Sequence, residues 1–133
     1  MSTILQITNA DRNLALLSKG LKVANLEEAL NKPGAFTILA PVNLAFNKLS
    51  PSFEDLLKST DTNKLSDLLS SHILAEKRLM KNFVNGQKLK TINGKEINVT
   101  VKDGVVRLNG AKILSKDRQG SNGVVHSMDA LGV

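Results

Sequence analysis

The chain has 133 residues, is 41% apolar and contains no cysteine. It fits one folded domain, and disulfides, thiolate catalysis and thiolate metal sites are excluded. The net charge of +6 is uneven: Lys77 to Arg118 holds 11 basic and 3 acidic residues, whereas residues 1–76 carry 7 basic and 8 acidic.

Four Phe, with no Tyr or Trp, leave Leu, Ile and Val to fill the core and offer few stacking platforms for bases or sugar rings. No apolar run approaches the ~18 residues of a transmembrane helix. Met1 to Thr8 lacks a basic region followed by an apolar core, so no signal peptide is read there. An intracellular protein fits, and so does a mature or trimmed chain.

The first part of the chain predicts helices. Leu14, Leu17 and Leu21 repeat at helical spacing after Asn9 and Asp11, either of which can cap, and Gly20 offers a stop. Leu26, Ala29 and Leu30 predict a second short helix, closed by Asn31-Lys32-Pro33-Gly34. Phe36 to Leu39 reads as a buried strand that ends where Pro41 forces an extended residue before it. Asn43 then caps a helix burying Phe46 and Leu49, and Pro51 begins a turn burying Phe53, Leu56 and Leu57. The strongest predicted helix runs from about Asp61 to Leu74, with Leu65, Leu68, Leu69, His72 and Ile73 on one stripe.

After Lys77 the period changes. Leu79 to Val84 reads as a connector. The turn dipeptides Asn85-Gly86, Asn93-Gly94, Asp103-Gly104, Asn109-Gly110 and Asn122-Gly123 then separate five predicted strands. These are Lys88–Ile92, Glu96–Val101, Val105–Leu108, Ala111–Leu114 and Val124–Met128. Ile97, Val99 and Val101 alternate with polar residues, as in a sheet with one wet face. Helices before an antiparallel meander predict an α+β domain.

Chemistry-bearing residues are few. His72 lies on an apolar helical stripe, and His126 shares a strand face with Val124 and Met128. A buried imidazole in either place is neutral and hydrogen-bonded; the alternative is a ligand or catalytic role. Two histidines without clustered acids are a weak metal signal. Ser127 or Ser71, His72 or His126, and Asp129 make a triad on paper, but Ser127 and Asp129 fall on the strand face opposite His126. Neither a Gly-x-Ser-x-Gly elbow nor a Gly-rich phosphate loop is present. No enzyme, catalytic residue, metal site or cofactor is expected. Asp129 can accept backbone N–H bonds or take a lysine partner. The polar stretch Lys116-Asp117-Arg118-Gln119-Gly120-Ser121 reads as a loop, either a plain connector or a partner-contact loop centred on Lys116, Asp117 and Arg118. The basic region 77–118 is either a lysine-rich wet strand surface or a polyanion-binding face.

Phe36-Thr37-Ile38-Leu39-Ala40-Pro41-Val42-Asn43-Leu44-Ala45-Phe46 resembles the first signature of the fasciclin (FAS1) domain family, T-V-F-A-P-T-N-x-A-F. Asn122-Gly123-Val124-Val125-His126-Ser127-Met128-Asp129 resembles its second, N-G-V-I-H-x-I-D. His72 stands where the family has a central Tyr-His. The resemblance extends over essentially the whole chain. It implies a FAS1-like α+β domain over residues 1–133: an antiparallel β-sandwich or wedge with helices packed along it, helices mainly N-terminal and strands mainly C-terminal. Thr37, Pro41, Asn43, Phe46, His72, Asn122, Gly123, His126 and Asp129 become family-signature positions of mainly structural role.

The resemblance further implies a non-enzymatic adhesion or interaction module. Its partner is a cell-surface or matrix protein or polysaccharide, with weak self-association and no specific nucleic acid. Its location is extracellular, periplasmic or at the cell surface, and the chain does not span a membrane. An electrostatic polyanion binder using residues 77–118 is the alternative. Three departures matter. Val42 replaces a hydroxyl residue, Ser71 replaces the Tyr of Tyr-His, and Ser115 to Ser121 keeps only Lys-Asp of an integrin-linked Asn-Lys-Asp-Ile-Leu-Ala-Thr segment. Integrin recognition is therefore not implied. The end at Val133, short of a Pro that often follows the second signature, fits a bacterial or excised single domain.

Overall fold

The computed structural model describes residues 2–48, 53–59 and 62–131. Thr3 opens α1 (Ile4–Ala10) with a capping box: its hydroxyl accepts the Gln6 N–H while its own N–H bonds the Gln6 side chain. Asp11 accepts the Asn13 N–H and starts a 3₁₀ turn leading into α2 (Ala15–Val23). The predicted stop at Gly20 is corrected. Gly20 lies inside α2, where a Cβ would stand 2.8 Å from the Phe53 ring. The reversal falls instead at Asn25, left-handed at φ 59°, where the Leu26 N–H reaches back to the Leu21 carbonyl at 3.0 Å.

Next come α3 (Glu27–Leu30), β1 (Phe36–Pro41), a 3₁₀ stretch (Asn43–Lys48), α4 (Phe53–Lys58) and α5 (Asn63–Ser70). The long helix predicted to reach Leu74 therefore ends early. Ile73 and Leu74 form β2 and pair with Ile38 and Thr37, and the Leu39 N–H takes the His72 carbonyl at 2.8 Å. Pairing with β1 supplies backbone partners that another helical turn would have supplied, and β-branched Ile73 suits a strand. Leu49, Pro51 and Asp61 lie outside the described residues.

The C-terminal half is β3 (Lys88–Lys90), β4 (Glu96–Lys102), β5 (Val105–Leu108), β6 (Ala111–Gly120) and β7 (Gly123–Met128). Asp103-Gly104 and Asn109-Gly110 all take positive φ, and each makes a two-residue hairpin turn. The last hairpin turn is Ser121-Asn122 rather than the predicted Asn122-Gly123, because Gly123 already pairs with Gly120. The sheet has seven strands in the order β2-β1-β7-β6-β5-β4-β3. Every neighbouring pair is antiparallel except β1 and β7, which run parallel from Phe36↔Gly123 to Pro41↔Met128. The end strands approach each other as well: Leu74 bridges Thr91, and the Ile92 N–H donates to the Ile73 carbonyl at 3.0 Å. The sheet thus curls into a wedge.

That curl makes two cores. Helical residues Leu17, Leu21, Phe46 and Leu65 pack with Ile38, Ala40 and Val125 on one side of β1 and β7. Leu39 and Met128, on the other side, join Leu89, Ile97, Val99, Leu108 and Ile113 inside the curl. The α+β class, with helices leading and strands following, is the architecture observed.

Candidate functional site

Both faces of β7 are covered, so every residue from Gly123 to Met128 is buried, His126 included at 0% exposure. The His126 Nδ1 accepts the Asp117 N–H at 3.2 Å, and Nε2 pairs with the Arg78 carbonyl at 2.6 Å. A carbonyl can only accept, so this ring is the neutral Nε2–H tautomer. Burial drives its pKa below the ordinary histidine value, against the Arg78 carbonyl and the Asp117 charge. His72, 1% exposed, donates from Nδ1 to the Leu68 carbonyl at 2.8 Å. Burial lowers its pKa too, with that bond opposing. His72 leads into β2 and His126 lies on β7, with β1 between them.

The serines of the paper triad have other partners. Ser127 Oγ lies 2.6 Å from Ser115 Oγ, while Ser71 Oγ donates to the Asp67 carbonyl and accepts the Asn93 amide. The carboxylate of Asp129 accepts the Lys112 N–H at 2.9 Å. Thr37 donates its hydroxyl to the Glu76 carbonyl and accepts the Arg78 N–H, Pro41 closes β1, and the Phe46 ring lies 4.3 Å from that of Phe53, tilted by 40°. Asn43 does not cap its own segment. Its Oδ1 accepts the Leu16 N–H in the first turn of α2, and its amide donates to the Arg12 carbonyl.

Asn122 holds a larger share of the frame than a turn residue would. At 4% exposure its Oδ1 accepts the Ile4 N–H, and its amide donates to the Leu30 and Lys32 carbonyls. Its own carbonyl takes the Phe36 N–H at 2.9 Å. One residue thus ties α1, α3 and β1 to the start of β7. Asn before Gly reads as a turn in sequence, and nothing local announces these partners.

The predicted loop at Lys116, Asp117 and Arg118 is corrected to strand. β6 continues beside β7 through two register irregularities, between Ile113 and Ser115 and between Ser115 and Arg118. Asp117 sits at the bulge with φ 55°, and its carboxylate accepts the Met80 N–H at 2.7 Å. Arg118 pairs with Asp11 at 2.6 Å, and Lys116 is exposed. Burial favours neutral Asp11, but hydrogen bonds from Arg118 and the Asn13 amide, with the guanidinium charge, outweigh it and hold the pKa low. Beside this pair lies a cleft of about 320 Å³ lined by Val42, Leu114, Ser115 and Ser127.

On the wet face of the curl, strand alternation exposes Lys88 and Lys90 on β3, Glu96, Asn98, Thr100 and Lys102 on β4, Arg107 on β5 and Lys112 on β6. Registers Lys88↔Asn98, Thr100↔Arg107 and Arg107↔Lys112 place these side chains in neighbouring rows. Thr100, Lys102, Asp103, Val105 and Arg107 line a depression of about 430 Å³ there.

The Fasciclin domain family model matches residues 12–131. A Synechocystis protein, Protein sll1483, is 34% identical over 128 residues, 96% of this chain and 71% of that protein. The rabbit transforming growth factor-beta-induced protein ig-h3 is 27% identical over 97% of this chain, which spans only 19% of that longer protein. Among solved structures, a FAS1 domain pair from the insect cell adhesion molecule fasciclin I matches with a TM-score of 0.85 at 19% identity. That match covers 99% of this chain and 51% of the pair, and it is a likeness of fold.

Proposed function

The chain belongs to the Fasciclin domain family, and from that premise we propose that it is a non-enzymatic adhesion or interaction module. It acts as one domain outside the cytoplasm and binds a cell-surface or matrix protein or polysaccharide. The observation that carries this reading is the deployment of its reactive groups. The rings of His72 and His126 pair with main-chain groups, and Ser71, Ser127 and Asp129 are bonded within the frame. A proton-transfer role requires an imidazole within reach of a reacting group, and His126 is enclosed at 0% exposure. No helix among the described residues is long and apolar enough to cross a membrane.

The test is display of the chain on a cell or bead surface, alone and in tandem copies, scored for adhesion to cells and to matrix. Adhesion at micromolar chain concentration is expected, and its absence in both formats refutes the reading. The polyanion alternative keeps one specific observation in its favour, the cationic wet face of β3 to β6.

A further inference from the structure

Lys88, Lys102, Arg107 and Lys112 are all exposed on one face of four consecutive strands. Among the described residues none of these four has a carboxylate within 4.0 Å, whereas Arg78, Lys95 and Arg118 each have one. The face also carries acids, and their places are defined. Glu96 stands across from Lys90, Asp103 is in the β4–β5 turn, and Asp129 accepts the Lys112 N–H from the neighbouring strand end. Five cations therefore face two face-borne carboxylates and one at the rim.

The layout has a direction. Lys88 is one strand to one side of β4, while Arg107 and Lys112 are one and two strands to the other side and one same-face repeat further along. With strands about 4.8 Å apart and a same-face repeat of about 6.8 Å, Lys88 and Lys112 lie roughly 16 Å apart in an oblique stripe. Neutral Asn98 and Thr100 fall between the cations.

Resting on the interaction-module reading, we infer that this face binds an anionic polysaccharide, sulfated or carboxylated, laid along the stripe Lys88–Arg107–Lys112 with Lys102 beside it. Long-range attraction gathers the polymer, and the mobile lysine ammoniums take its separated anionic groups as point charges. The amide of Asn98 and the hydroxyl of Thr100 suit the sugar hydroxyls between those groups. Thr100, Lys102 and Arg107 also line an open depression on this face, with Asp103 at its edge. Single-stranded nucleic acid fits this face less well, because bases need aromatic platforms. Phe46, Phe53 and Phe83 are buried, and Phe36 is on β1, across the sheet from β3 to β5.

The experiment compares the full chain with two variants that each remove four exposed cations. Lys88→Gln/Lys102→Gln/Arg107→Gln/Lys112→Gln removes the stripe. Lys19→Gln/Lys22→Gln/Lys32→Gln/Lys64→Gln removes the same charge from the helical part. Binding to immobilised heparin, single-stranded DNA and neutral dextran is measured across salt. Four released counterions give a log–log slope of about −3 to −4, so heparin affinity falls about 100-fold between roughly 50 and 200 mM salt. The stripe variant is expected to lose most of that slope and the control variant to keep it, with heparin retained to higher salt than DNA.

Equal losses in the two variants, retention no better than on dextran, or tighter binding to DNA overturns the inference. The adhesion assay separates it from the module reading. Adhesion by the chain together with heparin binding unchanged in the stripe variant removes the stripe and leaves the module. Stripe-dependent heparin binding without adhesion removes the module and leaves the stripe.

Discussion

Replacing Asn122 by alanine tests how much of the frame hangs on one side chain. The substitution strands the Ile4 N–H, whose residue is 0% exposed, and the Leu30 carbonyl, whose residue is 1% exposed. The third partner, the Lys32 carbonyl, belongs to an exposed residue and can take water instead. A buried group left without its partner costs about 1–3 kcal/mol, so two such groups give a loss of about 2–6 kcal/mol. Urea m-values of about 1–3 kcal/mol per molar turn a loss of this size into a midpoint shift on the order of 1 M or more. The nearly isosteric Asn122→Asp sharpens the test. It keeps an acceptor for Ile4 but turns a carboxylate oxygen toward the Leu30 and Lys32 carbonyls. That variant is expected to be at least as destabilised at neutral pH and to recover in acid, where a protonated carboxyl can donate. Urea unfolding of both variants with the starting chain measures this. An Asn122→Ala loss under about 0.5 kcal/mol refutes the assignment of Asn122 as a buried tie, since that is the scale of ordinary surface substitutions.

Three further outcomes are expected. Both histidines have folded-state pKa values below the ordinary value, so the unfolded chain binds more protons in the window beneath about pH 6.5. Their contribution is full above that pH and falls as pH drops toward the folded values, by up to about 1.4 kcal/mol per pH unit for each ring. Denaturation from pH 7.5 to 5 shows this, and a flat profile refutes it. Gly123→Ala places a Cβ 2.0 Å from the Phe36 carbonyl oxygen, inside contact distance of fixed backbone. The β1–β7 pairing must spread, and loss of the folded state or a thermal midpoint lowered by at least ~10 °C is expected, against no change if the strands are not paired there. Arg118→Ala breaks a partly buried pair with Asp11 and is expected to cost only about 0.5–1 kcal/mol, a double-mutant cycle with Asp11→Ala giving the coupling.

What was legible in the sequence follows from how local each cause is. Asn109-Gly110 carries its own positive-φ signal, and Ile97, Val99 and Val101 alternate within one strand, so the hairpins and their wet face can be read directly. The failures have distant causes. Ile73 leaves the helical stripe because β1 offers pairing 35 residues upstream, at Ile38. Asn43 caps a helix 27 residues before it, and Asn122 holds Ile4 at a separation of 118. A single sequence carries no trace of such partners. The family resemblance marked Asn43 and Asn122 without saying what they bond.

The bulged end of β6 shows why a polar, Gly- and Ser-containing stretch need not be a contact loop. Asp117 is fixed from two sides, its N–H on His126 and its carboxylate on the Met80 N–H, and Arg118 is fixed by Asp11. A partner gripping either residue must first displace a charge-assisted bond. Lys88, Lys102, Arg107 and Lys112 have no carboxylate to give up among the described residues. Their attraction for an anion is offset mainly by lost side-chain freedom and shed water. The same sheet that locks His126 and Asp117 on its inner side therefore presents its least committed charge on the outer side. There a partner can bind without loosening the fold.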